Sequence, residues 1–311
     1  ICGLFAVFST WGANAGYGVF LAHYLSSNTF PGASEYDFAL IGGIVVFLAQ
    51  FFAPLCIVLY KVWGPFPTFY IGLAFQCCGF LLASFATKLW QLYLTQGVLI
   101  GLSFLFVFLP ATLVLPTWFD KHRATAFGLL AGGAGLGGIF FALTVNKLIQ
   151  QTGDQRWALR MCCCVTLFVG LVACSLMRPR NYKAINWKES VTLTNFWCNA
   201  KSTLSIKPYK QHYALTLITL WYGVTLMNYI IVLFLMSSYA LSVGLTAKHG
   251  TILTAVLNTA QLVGRPTCGL IADRMGRFNF SIVCSMALAI FVFAYWLQAT
   301  SYSALFVFNF V

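Results

Sequence analysis

The stretch GRPTCGLIADRMGR, Gly264–Arg277, decides how this chain is read. Within it a long apolar run carrying one arginine, Arg265, gives way to a cluster of charges that begins at Asp273. On a helix rising about 1.5 Å per residue the two lie roughly 12 Å apart, close to half of a hydrocarbon core about 30 Å thick. With Asp273 at a membrane surface, Arg265 sits deep in the bilayer, where a cation costs about 2.5 to 3.5 kcal/mol on the mildest scale. A residue so costly to place is a candidate for function.

Composition makes the bilayer the right solvent. Hydrophobic residues are 60% of the chain and charged residues only 8%, whereas soluble domains carry about a quarter charged residues. The unit of organisation is therefore the spanning helix, and 311 residues hold about ten of them with short connections. The formal charge of +12 does not point to nucleic acid. Seven bases (Arg178, Arg180, Lys183, Lys188, Lys201, Lys207, Lys210) share one polar segment whose only acid is Glu189, as the positive-inside rule produces in a cytoplasmic loop. Most of the eleven cysteines lie inside apolar runs, such as Cys77-Cys78 and Cys162-Cys163-Cys164. Neighbouring helical residues point in different directions, so these runs make no tetrahedral metal site and read as small packing residues. Neither a cofactor nor a metal is expected.

Hydropathy places helices at about 2–26 and 38–61, a third running to about 87 after the YKVWGPFP turn, then 90–118, 124–148 and 156–177, and in the second half about 212–241, 250–272 and 278–298, with residues 302–311 starting a tenth. The chain begins at Ile1 and stops while still apolar, so it looks cut at both ends. The expected domains are a six-helix bundle over 1–178, a basic cytoplasmic loop over 179–211 and an incomplete second bundle over 212–311. With the central loop in the cytoplasm, Lys61, Lys121, Arg123, Arg274 and Arg277 join it on that side. Lys88, Lys147, Arg156, Arg160 and Lys248 face the other side. Twelve bases against five put the N-terminus inside.

Six helices, a long basic loop and a second helical set form the plan of the major facilitator superfamily, and Gly269-Leu-Ile-Ala-Asp273-Arg274-Met-Gly276-Arg277 resembles its G-x-x-x-D-R-x-G-R signature. The resemblance implies an all-α polytopic fold of two pseudo-symmetric bundles with a substrate site between them near the midplane. In physical terms, Gly269 allows close helix approach, Gly276 permits a tight turn, and Asp273 can pair with Arg277 or face a helix N-terminus. Gly269, Asp273, Arg274, Gly276 and Arg277 are then a cytoplasmic gate. The first-half counterpart, APLCIVLYKVWGPFPT, keeps Lys61 and Gly64 but has no aspartate.

PTWFDKHRATAFGLLAGGAGLGGIFF (Pro116–Phe141) resembles the monocarboxylate-transporter family, and WGANAGYGVFLAHYL (Trp11–Leu25) with YDFALIGGIVVFLAQ (Tyr36–Gln50) is similar to its fungal branch. The resemblance implies a secondary carrier of a small organic solute, a monocarboxylate or similar anion, in the plasma membrane rather than an internal one. It makes Arg265 the ligand of a substrate carboxylate, which a guanidinium suits through its planar fork. Gln50, Gln76, Gln96 and Asn228 read first as hydrogen-bond partners between helices. Asn14, Asn258 and Gln261 are the further ligand candidates, and Trp221, Tyr222 and Tyr229 could form an aromatic wall. A vitamin or neutral-metabolite carrier and a non-transporting sensor are the alternatives.

Departures from the family pattern bear on coupling, and the co-transported ion stays open. Proton-coupled members have an aspartate one turn before the arginine, where this chain has Gln261, and a lysine in the first helix, where residues 3–23 have none. Tyr93 stands where many proton-linked facilitators have arginine. Gly133, Gly135 and Gly138 satisfy G-x-G-x-x-G, but that fingerprint needs a preceding strand. Gly128/Gly132, Gly133/Gly137 and Gly12/Gly16 read instead as small-residue faces for helix packing.

Overall fold

A computed structural model describes residues 1–27, 30, 32–180, 193–205, 212–244, 247–295 and 302–310. Lys183, Lys188, Glu189, Lys207, Lys210 and the expected end of the ninth helix lie outside the described residues. We number the long helical rods α1 (2–27), α2 (35–63), α3 (Pro65–Ala83), α4 (89–117), α5 (Arg123–Thr152) and α6 (Gln155–Leu176) in the first half. The second half has α7 (Tyr213–Ser242), α8 (Ala247–Met275), α9 (Arg277–Ala294) and α10 (Tyr302–Phe310). Among the described residues five rods, α3 to α6 and α9, are each long and apolar enough to cross a membrane, and the bent α2 makes a sixth.

Local chemistry explains where the rods break. In α2, Phe52 has φ −88° and ψ 8° and Pro54 follows at the start of the next turn, so the two segments meet at 51°. A proline cannot donate to the carbonyl one turn back, and its ring crowds that carbonyl. Two consecutive helices join at the same end of each half through one glycine, Gly64 at φ 85° and Gly276 at φ 91°. Both φ values are strained for residues with a Cβ. The tight turn expected at Gly276 is present, and the first half keeps its equivalent at Gly64 although it lacks the aspartate.

Two rods depart from the continuous helices expected. α1 carries a π segment at Phe8–Gly12 and a turn at Gly16, and α4 carries a π segment at Tyr93–Leu99. Side-chain hydroxyls bond back to the backbone here: Ser9 and Thr10 donate to the Ala6 carbonyl at 3.0 and 2.9 Å, and Thr95 to that of Gln91 at 2.7 Å. Such back-bonding competes with the helical ladder and bends it.

α5 is the central rod. A methyl group added at Gly137 would stand 2.6 Å from the Cα of Gly12, and one at Gly133 would overlap the Leu4 carbonyl. On its other side, Gly128 and Gly135 meet the carbonyls of Arg265 and Asn258, again closer than a methyl permits. α5 is thus pressed between α1 of its own half and α8 of the other. Both small-residue faces expected on it are real, and the three glycines of the false nucleotide motif divide between them.

The end where Gly64 and Gly276 lie has further ties. The segment between the halves includes a helix, Leu193–Thr203, where the sequence predicts a loop. Its Ala200 packs with Val58 and Val62 of α2, and the Lys61 ammonium donates to the Thr203 hydroxyl at 3.1 Å. The Trp118 indole donates to the Arg178 carbonyl at 2.6 Å, tying the end of α4 to that of α6.

We predict that Gly137→Ala lowers the thermal stability of the full-length protein in detergent by the equivalent of about 1 to 3 kcal/mol. Gly43→Ala, where an added methyl meets nothing within 4 Å, leaves it unchanged or raises it by up to about 1 kcal/mol.

Candidate functional site

Asp273 lies in the last turn of α8, and its side chain is only 5% exposed. Its carboxylate accepts from the backbone N–H groups of Ala124 and Thr125, at 3.0 and 2.8 Å, and from the Thr125 hydroxyl at 2.8 Å. These are donors of the first turn of α5, which have no carbonyl partner within their own helix. A carboxylate there is also favoured by the helix dipole. The Arg277 guanidinium stands 3.5 Å from the same carboxylate and donates to the Asp120 carbonyl at 3.1 Å. Of the two roles open to Asp273 from sequence, it fills both. Gly269 lets this happen, since a methyl there would sit 2.5 Å from the Ala124 carbonyl oxygen. Arg274 is exposed at the same end.

Arg265 lies ten residues before the end of α8. Its side chain crosses to the first half, where Nη1 donates to the Ala131 carbonyl of α5 at 3.0 Å. The guanidinium also stands 5.3 Å from the centre of the Tyr229 ring on α7, within cation–π range. One turn away on the same face of α8, the Gln261 amide oxygen accepts from the Tyr229 hydroxyl at 3.1 Å. The Gln261 Nε2 is buried and has no partner among the described residues. An unsatisfied buried donor of this kind costs about 1 to 3 kcal/mol. Arg265, Gln261 and Tyr229 therefore form one cluster that offers N–H groups and contains no acid.

The other two candidates fall apart from this cluster to different degrees. Asn258 lies one helical turn further along α8 and is 2% exposed, packed where a methyl at Gly138 would meet its Oδ1 at 2.7 Å. Asn14 lines a cavity of about 20 Å³ inside the first half with Tyr17 and Gln96, room for about one water. Gln76 and Gln96 bridge helices as expected, donating to the Ser9 carbonyl and, at 3.0 Å, to the Tyr24 hydroxyl. Of the proposed aromatic wall only Tyr229 reaches the cluster. Trp221 donates to Ser285 on α9 at 3.2 Å and Tyr222 is 54% exposed. Sequence gave no reason to prefer Tyr229, because its partners lie on another helix.

A helical membrane protein of two packed bundles, with a charged staple at one end of the seam and a lone arginine at mid-depth, has the build of a solute carrier. The chain belongs to the Major Facilitator Superfamily, whose family model matches residues 1–311. It is 42% identical over 309 residues to "Uncharacterized transporter ESBP6" of Saccharomyces cerevisiae, covering 99% of this chain and 45% of that protein. To "Probable transporter MCH2" of the same yeast it is 35% identical over 290 residues, covering 93% of this chain and 59% of that one. The chain thus spans about half the length of these curated relatives. Among solved structures it resembles the proton:xylose symporter XylE bound to 6-bromo-6-deoxy-D-glucose, at a TM-score of 0.65 and 13% identity, over 99% of this chain and 78% of that one. This likeness carries the fold alone. The fold expected from sequence, all-α with two helical bundles, is the one found.

Asp273→Ala is expected to lower the melting temperature of the full-length protein more than Asp273→Asn, which keeps one acceptor for the α5 N–H groups. Thermal unfolding of the two variants beside wild type, in one detergent, measures the order.

Proposed function

We propose that this chain is part of a secondary carrier for a small organic anion of the monocarboxylate class, working by alternating access between the two bundles. The observation that carries this reading is the pairing of Arg265 with a buried, unpartnered amide N–H of Gln261 beside Tyr229. A guanidinium has five N–H donors in a planar fork, and Ala131 takes one of them. A carboxylate has two oxygens and accepts in the same plane, so it satisfies the fork and the free amide together. Water exclusion by the seam strengthens each contact. Asn258 on the same helix face extends the polar lining, whereas Asn14 faces the cavity inside the first half and is left out of the site.

Alternating access gives the Asp273 staple its role. Opening the inner end requires Asp273 to leave Ala124 and Thr125, and Arg277 to leave Asp120, while the glycine-lined seam lets α5 and α8 move as smooth rods. Gly276 fixes the turn that presents both charges, and Arg274 lies beside them. The excess of Lys and Arg at this end supports a cytoplasmic placement and a cytoplasmic N-terminus.

Arg265→Ala is expected to weaken carboxylate binding on the order of 100-fold, the effect of truncating one partner of a buried charged pair. Arg265→Lys retains the charge without the fork and is expected to fall between the two. Binding of pyruvate and lactate to the purified full-length protein, by calorimetry, measures this, with the corresponding neutral amides as controls. Equal affinity in wild type and Arg265→Ala would remove Arg265 from the site.

A further inference from the structure

The first half holds a small polar cavity that plays no part in the carboxylate site. Gln96 lies in the π segment of α4 and is 4% exposed. Its amide nitrogen donates to the Tyr24 hydroxyl of α1 at 3.0 Å. Its Oε1 is buried and has no partner among the described residues. The same side chain lines the cavity of about 20 Å³, together with Asn14 and Tyr17 of α1 and Ile41 and Val45 of α2. Asn14 is 6% exposed and stands just beyond the π segment of α1, which ends at Gly12.

Both irregular stretches of the first half thus deliver an amide to one space. A π turn holds one residue more than an α turn, so the helix beyond it is rotated relative to the helix before it, and such turns recur at functional sites. The α1 segment is already answered by another helix on a different side, where the Gln76 amide donates to the Ser9 carbonyl. At the cavity the groups on hand form an incomplete set. Gln96 offers an acceptor, the Asn14 amide offers both a donor and an acceptor, and the Tyr17 hydroxyl, which donates to the Phe38 carbonyl at 3.0 Å, keeps its oxygen free to accept. A buried water needs a polar site of at least about 10 to 15 Å³ and two to four partners, with about three as the norm. This cavity meets both requirements.

We infer that the cavity is a binding site for one ordered water, which joins the π segment of α4 to α1 and is the ligand that Asn14 serves. The water donates to the Gln96 Oε1 and to the Tyr17 oxygen and accepts from the Asn14 amide. Each of these bonds is nearly as good as a direct one between side chains. The chemistry of the lining selects water over other small guests. A hard cation takes about six oxygen ligands or more, and three polar side chains without a carboxylate fall short of that. An organic molecule exceeds the volume. Through Tyr17 and the Phe38 carbonyl the water also ties in the start of α2. Two rods with shifted hydrogen-bond ladders, α1 and α4, are thereby held as parts of one body. The site lies within the first half, apart from Arg265, so it does not depend on which solute the protein carries.

Radiolytic footprinting of the full-length protein in lipid nanodiscs tests this, because hydroxyl radicals formed from a bound water oxidise the side chains beside it. Mass spectrometry of the peptides reads the added oxygen, and mixing with oxygen-18 water just before exposure separates bound from bulk water. The expected result is oxidation of Tyr17 and Phe20, both buried at the cavity, well above that of Phe69 and Phe104, which are buried elsewhere. The oxygen first added is expected to be the light isotope. Asn14→Leu, which removes a partner and fills the space, is expected to lose this oxidation. Gln96→Met, similar in length and without the amide, is the second variant and is expected to lose it too. Oxidation of Tyr17 and Phe20 no greater than that of Phe69 and Phe104 in the wild type would overturn the inference. So would immediate uptake of the heavy isotope, which marks bulk solvent, or oxidation unchanged in a folded variant. Oxidation suppressed by sodium chloride and not by choline chloride would give the site to a cation and overturn it as well.

Discussion

Backbone-to-backbone approach along α5 is the constraint on which the rest of this molecule depends. Lipid chains are as apolar as leucine, so helices in a bilayer gain little from burying apolar surface against one another and associate through close packing and hydrogen bonds. Gly133 and Gly137 bring α5 onto α1 within the first half. Gly128 and Gly135, with Gly269 on the facing helix, bring it onto α8 of the second. One helix thereby belongs to the core of its own bundle and to the seam between bundles. An alanine at several of these positions would place a carbon inside a neighbouring carbonyl, so the geometry depends on the missing side chains.

Closeness in turn decides what polar groups can do. Because α8 lies against α5, the Arg265 side chain reaches the Ala131 carbonyl across the seam, and Asp273 reaches the free N–H groups of the α5 first turn. The two contacts differ in kind. Asp273 closes the account of a helix terminus and leaves no donor of Ala124 or Thr125 exposed. Gln261 leaves over a buried donor, its Nε2, with no partner among the described residues, where an unmet donor is costly. A finished polar contact at the Gly276 end and an unfinished one at Gln261 are what the proposed staple and the proposed ligand site need respectively.

How much of this was legible in the sequence depended on how local each feature is. The spacing from Gly269 to Arg277, the isolation of Arg265 and the small-residue pairs on α5 are all readable from single helices, and the structure has them as expected. The partner of Asp273 was readable only as a class, a helix N-terminus, because α5 begins some 150 residues earlier in the chain. Tyr229 could not be told from Trp221 and Tyr222, since only packing decides which ring lies under the arginine. Asn14 looked like a ligand from its depth alone, and its rotation toward Tyr17 and Gln96 became visible only with α2 and α4 in place. The π segments of α1 and α4 and the Leu193–Thr203 helix are not legible in the sequence for related reasons. Hydropathy does not register a shifted hydrogen-bond ladder, nor a short helix whose apolar side is matched by a single neighbouring rod.

The central claim, that Asp273 holds the two bundles together at the Gly276 end by binding the first turn of α5, is tested most directly by a distance. Keto-reactive spin labels at positions 121 and 275, both exposed, report it by pulsed electron resonance in lipid nanodiscs without disturbing the native cysteines. The account predicts one dominant short distance in the wild-type background and a broader, longer distribution in Asp273→Ala. The same distribution in both backgrounds would show that the bundles stay together without the staple and would contradict the account.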